Sequence, residues 1–402
     1  MGKASSMIAL ADALRIVDES LQGCRLPSER LKVRQSLGRV LAADQFSQLD
    51  LPPFDKSAMD GYAVLEGDSR ESYRVLETVS AGSVPTQTLQ PGTAVKVMTG
   101  APVPRGTGEV IPLEHVRVEG EAIHVVKRGK DPNFCTQGED VRRGDRILRA
   151  GTRLGPVDVA NLIGCGITEV EVFRPVRMAI VSTGDEIADD PAQLGPGMIM
   201  NTNGPMLAGL ACQFGLEVTA ERALVDDPAL IASALRDALE GADFVVLSGG
   251  VSVGDYDYVG RAMAEAGLHI HFTTVAVKPG RPITYASAPG KAVFGLPGNP
   301  VSVYLMFHLF VLRAVARVTG RPWPMPELLI PLATTFHRRR TERQEYVPCR
   351  IADRGTLQAV EFHGSAHLTA LGEADGFFVV PVGVAEIPAG QNVQFLPLKG
   401  WR

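Results

Sequence analysis

Leu247-Ser-Gly-Gly-Val-Ser-Val-Gly-Asp255, Lys278-Pro-Gly-Arg-Pro282 and Gly295-Leu-Pro-Gly-Asn-Pro300 are the stretches whose reading decides the fold. Each follows an apolar, strand-like segment (Asp243 to Leu247, Phe272 to Val277, Lys291 to Phe294), so the three turns are expected at one end of a sheet. Open α/β sheets hold ligands at that end. Backbone amides in glycine turns attract anions, Lys278 and Arg281 add positive charge, and the prolines beside them stiffen the loop. The pattern predicts a site for a phosphate-bearing ligand.

Around these turns, strand and helix alternate from Val176 onward. Met178 to Val181 reads as a strand and Gly204 to Phe214 as a helix, and Asp227-Pro228 supplies an N-cap and first position for a helix over Ala229 to Glu240. Strand Phe244 to Leu247, helix Asp257 to Ala266, two further strands and a long helix over Val301 to Thr319 complete a three-layer α/β unit spanning 176–325.

Upstream, Leu10, Leu14, Val17 and Leu21 fall on one helical face, and a second helix is expected over Leu31 to Ala43. Between 46 and 145 the texture changes to short β-like runs separated by Gly and Pro: Tyr73 to Val79, Ala94 to Met98, Glu109 to Pro112 and Ala122 to Val126. A helical pattern resumes at Val157 to Ile163. The sequence therefore predicts a helical linker built from 1–45 with 146–175, and a β-rich domain inserted at 46–145. Short strands return over 326–402 (Glu345 to Ile351, Leu357 to Phe362, Phe377 to Val382, Asn392 to Leu396), which reads as a small closed or sandwiched β domain.

The chain of 402 residues is 45% hydrophobic, with a net charge of −5 and a pI near 6.0. This balance offers no general attraction to nucleic acid or anionic membrane. Five scattered cysteines without a CxxC suggest neither a disulfide framework nor a zinc knuckle, and fit a reducing cytoplasm. The longest apolar run, Val303 to Val315, carries His308 and Arg313, so no membrane-spanning segment is expected. Met1-Gly-Lys-Ala-Ser-Ser6 fits the short N-myristoylation pattern, read as chance because no polybasic signal adjoins it.

Carboxylates recur beside Gly in loops: Asp55 and Asp60, Glu139 and Asp140, Asp185 and Glu186, Asp226 and Asp227, Asp255 and Asp257. Singly, such residues cap helices and turns; gathered at strand ends, they offer the hard oxygen ligands that Mg²⁺ takes beside a phosphate. Lys278 is open to a surface ion pair or a ligand-facing role. No P-loop, no GxGxxG after a strand and no nucleophile elbow is present. His363 and His367 are read as structural or surface residues.

Taken in order, Pro53-Phe-Asp-Lys-Ser-Ala-Met-Asp-Gly-Tyr-Ala63, Met98-Thr-Gly-Ala-Pro-Val-Pro104, Gly138-Glu-Asp140, Ser182-Thr-Gly-Asp-Glu186, Ser248-Gly-Gly-Val-Ser-Val-Gly254, Lys278-Pro-Gly280 and Gly295-Leu-Pro-Gly-Asn-Pro-Val-Ser302 resemble the molybdopterin molybdenumtransferase family of molybdenum-cofactor biosynthesis, which includes the C-terminal part of gephyrin. The resemblance covers most of the chain. It implies a helical linker domain, an inserted β-rich domain, an α/β molybdopterin-binding domain and a C-terminal β-barrel. It also implies a cytoplasmic homodimer in which the inserted domain of one subunit faces the α/β domain of the other. The implied reaction takes adenylylated molybdopterin and molybdate, inserts molybdenum at the dithiolene and releases AMP with Mg²⁺.

By resemblance, Asp60, Thr99, Asp140 and Asp257 carry catalysis, Glu186 and Asp226 hold the metal, and Ser248, Gly249, Gly250, Lys278, Arg281, Pro297 and Ser365 bind substrate. The implied partners are transient contacts with the molybdopterin adenylyltransferase and with molybdoenzyme maturation proteins, with no nucleic acid and no membrane. Phe134-Cys-Thr-Gln137 departs from the family by lacking a basic residue before Gly-Glu-Asp, which removes an anion contact and leaves tungstate as an alternative oxyanion. Arg281 stands where Lys is common. Two other functions stand beside the insertase: a non-catalytic pterin-binding scaffold, and the molybdopterin adenylyltransferase, which usually consists of the α/β unit alone.

Overall fold

The structure, a computed structural model, describes residues 7–250, 258–322 and 328–398. The Met1 to Ser6 pattern and the Val251 to Asp257 stretch lie outside them. The alternation after Val176 folds into a six-stranded sheet, ordered Glu217–Leu224, Arg177–Thr183, Phe244–Ser248, Lys291–Leu296, Pro282–Ala288, His269–Thr274. The first four strands run parallel, Pro282–Ala288 runs antiparallel to both its neighbours, and His269–Thr274 runs with the first four. Side chains alternate between the two faces. Met178, Ile180, Phe244 and Val246 meet the helices Asn203–Phe214 and Pro300–Thr319, while Ala179, Val181, Val245 and Leu247 meet Pro228–Gly241 and Tyr258–Glu265. Apolar residues on both faces are what a doubly covered sheet requires. Asp227 caps its helix as predicted, its Oδ1 accepting from the N–H of Ala229 and Leu230 at 2.8 and 2.9 Å.

The Pro300–Thr319 helix is long and apolar enough to cross a membrane, contrary to the expectation that no segment would be, but 83% of its apolar window is buried inside the protein. It is a core helix. Arg313 is neutralised by Asp18, and His308 Nδ1 lies 2.8 Å from the Tyr304 carbonyl. Its middle turn, Phe307–Val311, is wound as a π-helix.

The helix expected over Leu31 to Ala43 is absent. Ser28–Lys32 is a strand paired antiparallel with Glu169–Phe173, whose other edge takes Val40–Leu41. Leu31 and Val33 alternate with polar neighbours, and Gly38 turns the chain at φ +78°, so a strand partner supplied from far downstream, Val170 for Leu31, outweighs local helical spacing. The first helix, Leu10–Ser20, inserts Ala13 and Val17 into the α/β core, joined by Leu21 just beyond it.

The inserted region forms its own six-stranded sheet: Thr107–Pro112, Gly61–Leu65, Thr93–Val97, Ser72–Val79, Ala122–Val125, Val116–Glu119. In the tail, Thr356–Ala359, Gln344–Ala352, Gly376–Val380, Asn392–Pro397 and Leu328–Pro331 pair in succession, and the Leu332–Leu357 bridge closes the set on itself. Closure leaves no free edge around Val347, Leu357, Phe378 and Phe395.

The end of the α/β sheet opposite the glycine turns is clamped by Asp243, which accepts from Arg174 Nη1 and Nη2 at 2.6 and 2.8 Å and from the Arg177 N–H at 2.9 Å. Burial pushes its carboxyl up, but the Arg174 and Arg177 hydrogen bonds outweigh it and hold the group below the usual range. A depressed folded-state pKa stabilises above the unfolded value and is lost as pH falls through the folded one. Asp243→Asn should therefore cost about 3 kcal/mol by urea denaturation at neutral pH. The difference from wild type should shrink below the ordinary carboxylate range.

Candidate functional site

The parallel strands end level with one another, Ser182 pairing with Ser248 and Ser248 with Leu296. After Thr183 the chain leaves toward one sheet edge, and after Ser248 toward the other, so a crevice opens between them at the topological switch point. Gly249 closes this corner. At φ +91° it brings its backbone so near Thr183 that a Cβ would fall 2.1 Å from the Thr183 carbonyl oxygen. Gly250, at φ +61°, faces the Thr183 hydroxyl in the same way, 2.9 Å from where a Cβ would be. Both glycines are thus required by close approach as well as by dihedral.

Buried polar atoms without a hydrogen-bond partner among the described residues collect at this end: Thr183 Oγ1, Asp226 Oδ1, Asn203 Oδ1 and Thr274 Oγ1. Each such atom costs about 1–3 kcal/mol unless something answers it. Asn203 sits at the start of its helix and donates through Nδ2 to the Gly298 carbonyl at 2.7 Å, tying that helix to the Pro297 turn. Ser248 and Ser182 are fully buried, with Oγ atoms 3.3 Å apart.

Asp226 closes one side of the crevice. Burial raises its carboxyl above the ordinary range; the Thr183 hydroxyl draws it back, and Asp185 and Glu186 raise it further. The Thr183 hydroxyl favours the ionised form, yet neither it nor Asp226 Oδ1 achieves a well-formed hydrogen bond. The Asp226 N–H donates to Asp185 Oδ1 at 3.0 Å. Among the described residues no group of three His, Cys, Asp or Glu side chains is placed to hold a metal ion. Asp257, the third carboxylate expected with Glu186 and Asp226, lies outside them.

The Lys278 turn reaches the same sheet end, since Pro282 pairs with Thr274 and Thr284 with Gly295. Lys278 itself is in an ion pair: its Nζ is 2.6 Å from Glu345 Oε1, which also receives Arg338 on its other oxygen at 3.4 Å. The strand Val277–Lys278 pairs with Gln344–Glu345 of the barrel, so this cation is held at the joint between two units. That pairing also brings Arg343 to within 3.5 Å of the Val277 carbonyl. Arg281 is exposed, and its guanidinium has no partner among the described residues. Ser365 enters from the barrel: its carbonyl accepts from the Val301 N–H at 3.0 Å, and its Oγ lies 2.8 Å from Asn299 Nδ2. Pro297 is buried one residue beyond the strand.

A second group forms in the inserted unit. Asp60 Oδ1 accepts from the Thr99 N–H at 2.6 Å and the Thr99 hydroxyl at 2.8 Å, and these bonds hold its carboxyl below the usual range. Phe134–Cys135 pairs with Lys56–Ser57, Leu51 bridges Val141, and the Asp140 N–H donates to the Leu51 carbonyl at 2.9 Å. Gln137 donates to Asp55 and Asp50, so the departing stretch is built around carboxylates. His363 and His367 stack 4.9 Å apart beside the Ser365 turn, with His363 paired to Glu361. Asn203, Thr183, Asn299 and Arg343 border the candidate site but were left unassigned by the motif reading; Thr183 and Asn299 stood inside quoted motifs, while Asn203 and Arg343 are brought in by packing.

The comparisons follow this division. Family models describing the MoeA N-terminal region (domain I and II), a probable molybdopterin binding domain and the MoeA C-terminal region (domain IV) match residues 8–166, 179–317 and 330–398. A molybdopterin molybdenumtransferase from Nostoc sp. is 34% identical over 384 residues, covering 90% of this chain and 86% of the relative. One from Staphylococcus epidermidis is 32% identical over 378 residues, covering 91% and 90%. A crystal structure of a molybdopterin biosynthesis moeA protein from Pyrococcus horikoshii OT3 superposes with a TM-score of 0.85 at 30% identity, covering 98% of this chain and 100% of that one.

Two outcomes follow from the crevice. Gly249→Ala should destabilise the protein by about 2 kcal/mol or more in denaturant unfolding, because its Cβ meets backbone at a positive φ. Since the folded-state pKa of Asp226 is raised, its ionisation opposes folding once pH exceeds the unfolded value. Asp226→Asn should raise the melting temperature at neutral pH, and the gain should vanish in acid, where both states are protonated.

Proposed function

This chain belongs to the molybdopterin molybdenumtransferase family, and from that membership we propose that it takes adenylylated molybdopterin and molybdate, inserts molybdenum at the dithiolene and releases AMP. Its place is molybdenum cofactor biosynthesis, and its class is transferase. The observation that carries the finer reading is the joining of anion-binding turns and a repelled carboxylate group at one sheet end.

In this reading the Ser248 hydroxyl and the amides of Gly249 and Gly250 receive phosphate oxygens, with Arg281 as a cation unpaired among the described residues and Pro297 shaping the wall. Lys278, held by Glu345, supplies a fixed field, and Ser365 with Asn299 borders the substrate from the barrel side. Glu186 and Asp226 would hold Mg²⁺, with Asp257 assigned beside them by resemblance. The fit rests on an all-oxygen donor set and on buried Asp226 Oδ1 lacking a partner. When bound, the ion supplies Lewis-acid stabilisation of the phosphoanhydride. Its charge would also favour the ionised form of Asp226, against the burial that raises that carboxyl.

Asp60 stays ionised and fixes the Thr99 hydroxyl as a donor toward itself, leaving the Thr99 oxygen lone pairs for a ligand. We assign this pair, with Asp140, to molybdate or the dithiolene. Because Asp60 and Glu186 belong to separate units, a cytoplasmic homodimer presenting one subunit's inserted unit to the other's crevice completes the site. Transient contacts with the adenylyltransferase and molybdoenzyme maturation proteins would deliver substrate and remove product.

The test is AMP release from adenylylated molybdopterin and Mg²⁺, with molybdate, with tungstate and with neither. Oxyanion-dependent release should fall about a hundredfold or more in Asp60→Ala and in Glu186→Ala. Tight substrate binding without release under any oxyanion would replace the insertase with a scaffold.

A further inference from the structure

The Pro300–Thr319 helix has the candidate crevice at its first turn; about 25 Å away along its axis, at 1.5 Å per residue, lies a second cleft. This cleft, of about 360 Å³, is lined by Asp18, Arg25, Arg313, Arg317, Gly320 and Arg321. Asp18 is the one carboxylate among these residues, and Arg313 engages both of its oxygens, with Nε to Oδ1 at 2.9 Å. Arg317 donates Nε to the Asp18 backbone carbonyl at 3.1 Å, which leaves its charge uncompensated. Arg25 lies over the helix end, where a Cβ on Gly320 would fall 2.2 Å from its Nη1. Arg321 is 9% exposed and has no hydrogen bond or ion pair among the described residues. Its neighbour in charge is Arg153, itself committed to the Gly38 and Gln213 carbonyls.

Arginines at a helix C-terminus offset its carbonyl dipole, and this accounts for Arg25 and Arg317. It does not account for Arg321, which lies beyond the last turn, buried, beside another guanidinium. A buried charge without a counter-charge is costly. Three guanidinium groups without carboxylate partners among the described residues face a cleft with room for more than one tetrahedral anion, and planar forks match phosphate oxygens two at a time.

We propose that this cleft binds a diphosphate group, either free pyrophosphate or the phosphate chain of a nucleotide, independently of the crevice at the other end of the helix. Burial, then Arg153, pulls the Arg321 guanidinium down to about 10, as expected of a cation that awaits an anion.

The test is calorimetric titration of the full chain with pyrophosphate, free of divalent cations and at constant ionic strength, beside arms with ATP, orthophosphate and sulfate. Arg281→Gln weakens the crevice and should leave this binding intact. Arg317→Gln and Arg25→Gln, at partly exposed positions, should each weaken pyrophosphate about tenfold or more. Arg321→Met should do the same, provided its circular dichroism stays native. ATP binding tighter than pyrophosphate identifies a nucleotide as occupant, and equal binding identifies the free diphosphate. The proposal is overturned if Arg317→Gln and Arg25→Gln titrate like wild type, if Arg281→Gln alone abolishes binding, or if sulfate binds as well as pyrophosphate.

Discussion

The close approach of Gly249 to the Thr183 carbonyl sets the form of the whole crevice. Three parallel strands end level, and at that corner no side chain separates the loop after Ser248 from the end of the neighbouring strand. The Thr183 hydroxyl, the Gly250 turn and the Asp226 carboxylate are thereby drawn into one small volume. Their polar atoms cannot all be answered from within it. A fold that leaves several partnerless polar atoms at one sheet end has placed the cost of desolvation where a polar ligand removes it.

The Pro300–Thr319 helix transmits this arrangement to the other units. Its first turn is fastened to the barrel through Val301 and Ser365, and its second packs Met306 against the Gly280 turn. Its far half anchors the first helix through Arg313 and Asp18. The π-turn between these halves displaces the register of side chains, letting both ends satisfy different neighbours on one rigid element. A single buried helix therefore couples the crevice, the barrel and the arginine-lined cleft.

Charge is sorted by segment. Carboxylates gather at Asp185, Glu186 and Asp226, while Lys278 and Arg338 of the barrel meet around Glu345. Glu345 is the reason these cations tolerate one another at close range. Asp60 is different: two hydrogen bonds from Thr99 do most to stabilise its anion, and the charge of Lys96 adds to them.

Much of this was legible in the residues, because burial on two faces writes continuous apolar strands and because Gly and Pro at fixed offsets permit only certain turns. The strands ending at Ser248 and Leu296, the Asp227 cap and the motifs that carry the family follow from local pattern alone. What failed locally was Leu31 to Ala43, whose spacing suits a helix but whose strand partner, Glu169–Phe173, arrives only when the chain returns from the inserted unit. Lys278 was ambiguous for the same reason. Its partner Glu345 is 67 residues away and meets it through sheet pairing. By itself the sequence determined the family, the fold class and the Gly and Pro turns at the sheet end where the site is proposed. Tertiary structure alone decided which charges are neutralised and which polar atoms stay unanswered, since both depend on contacts between segments that no local periodicity records.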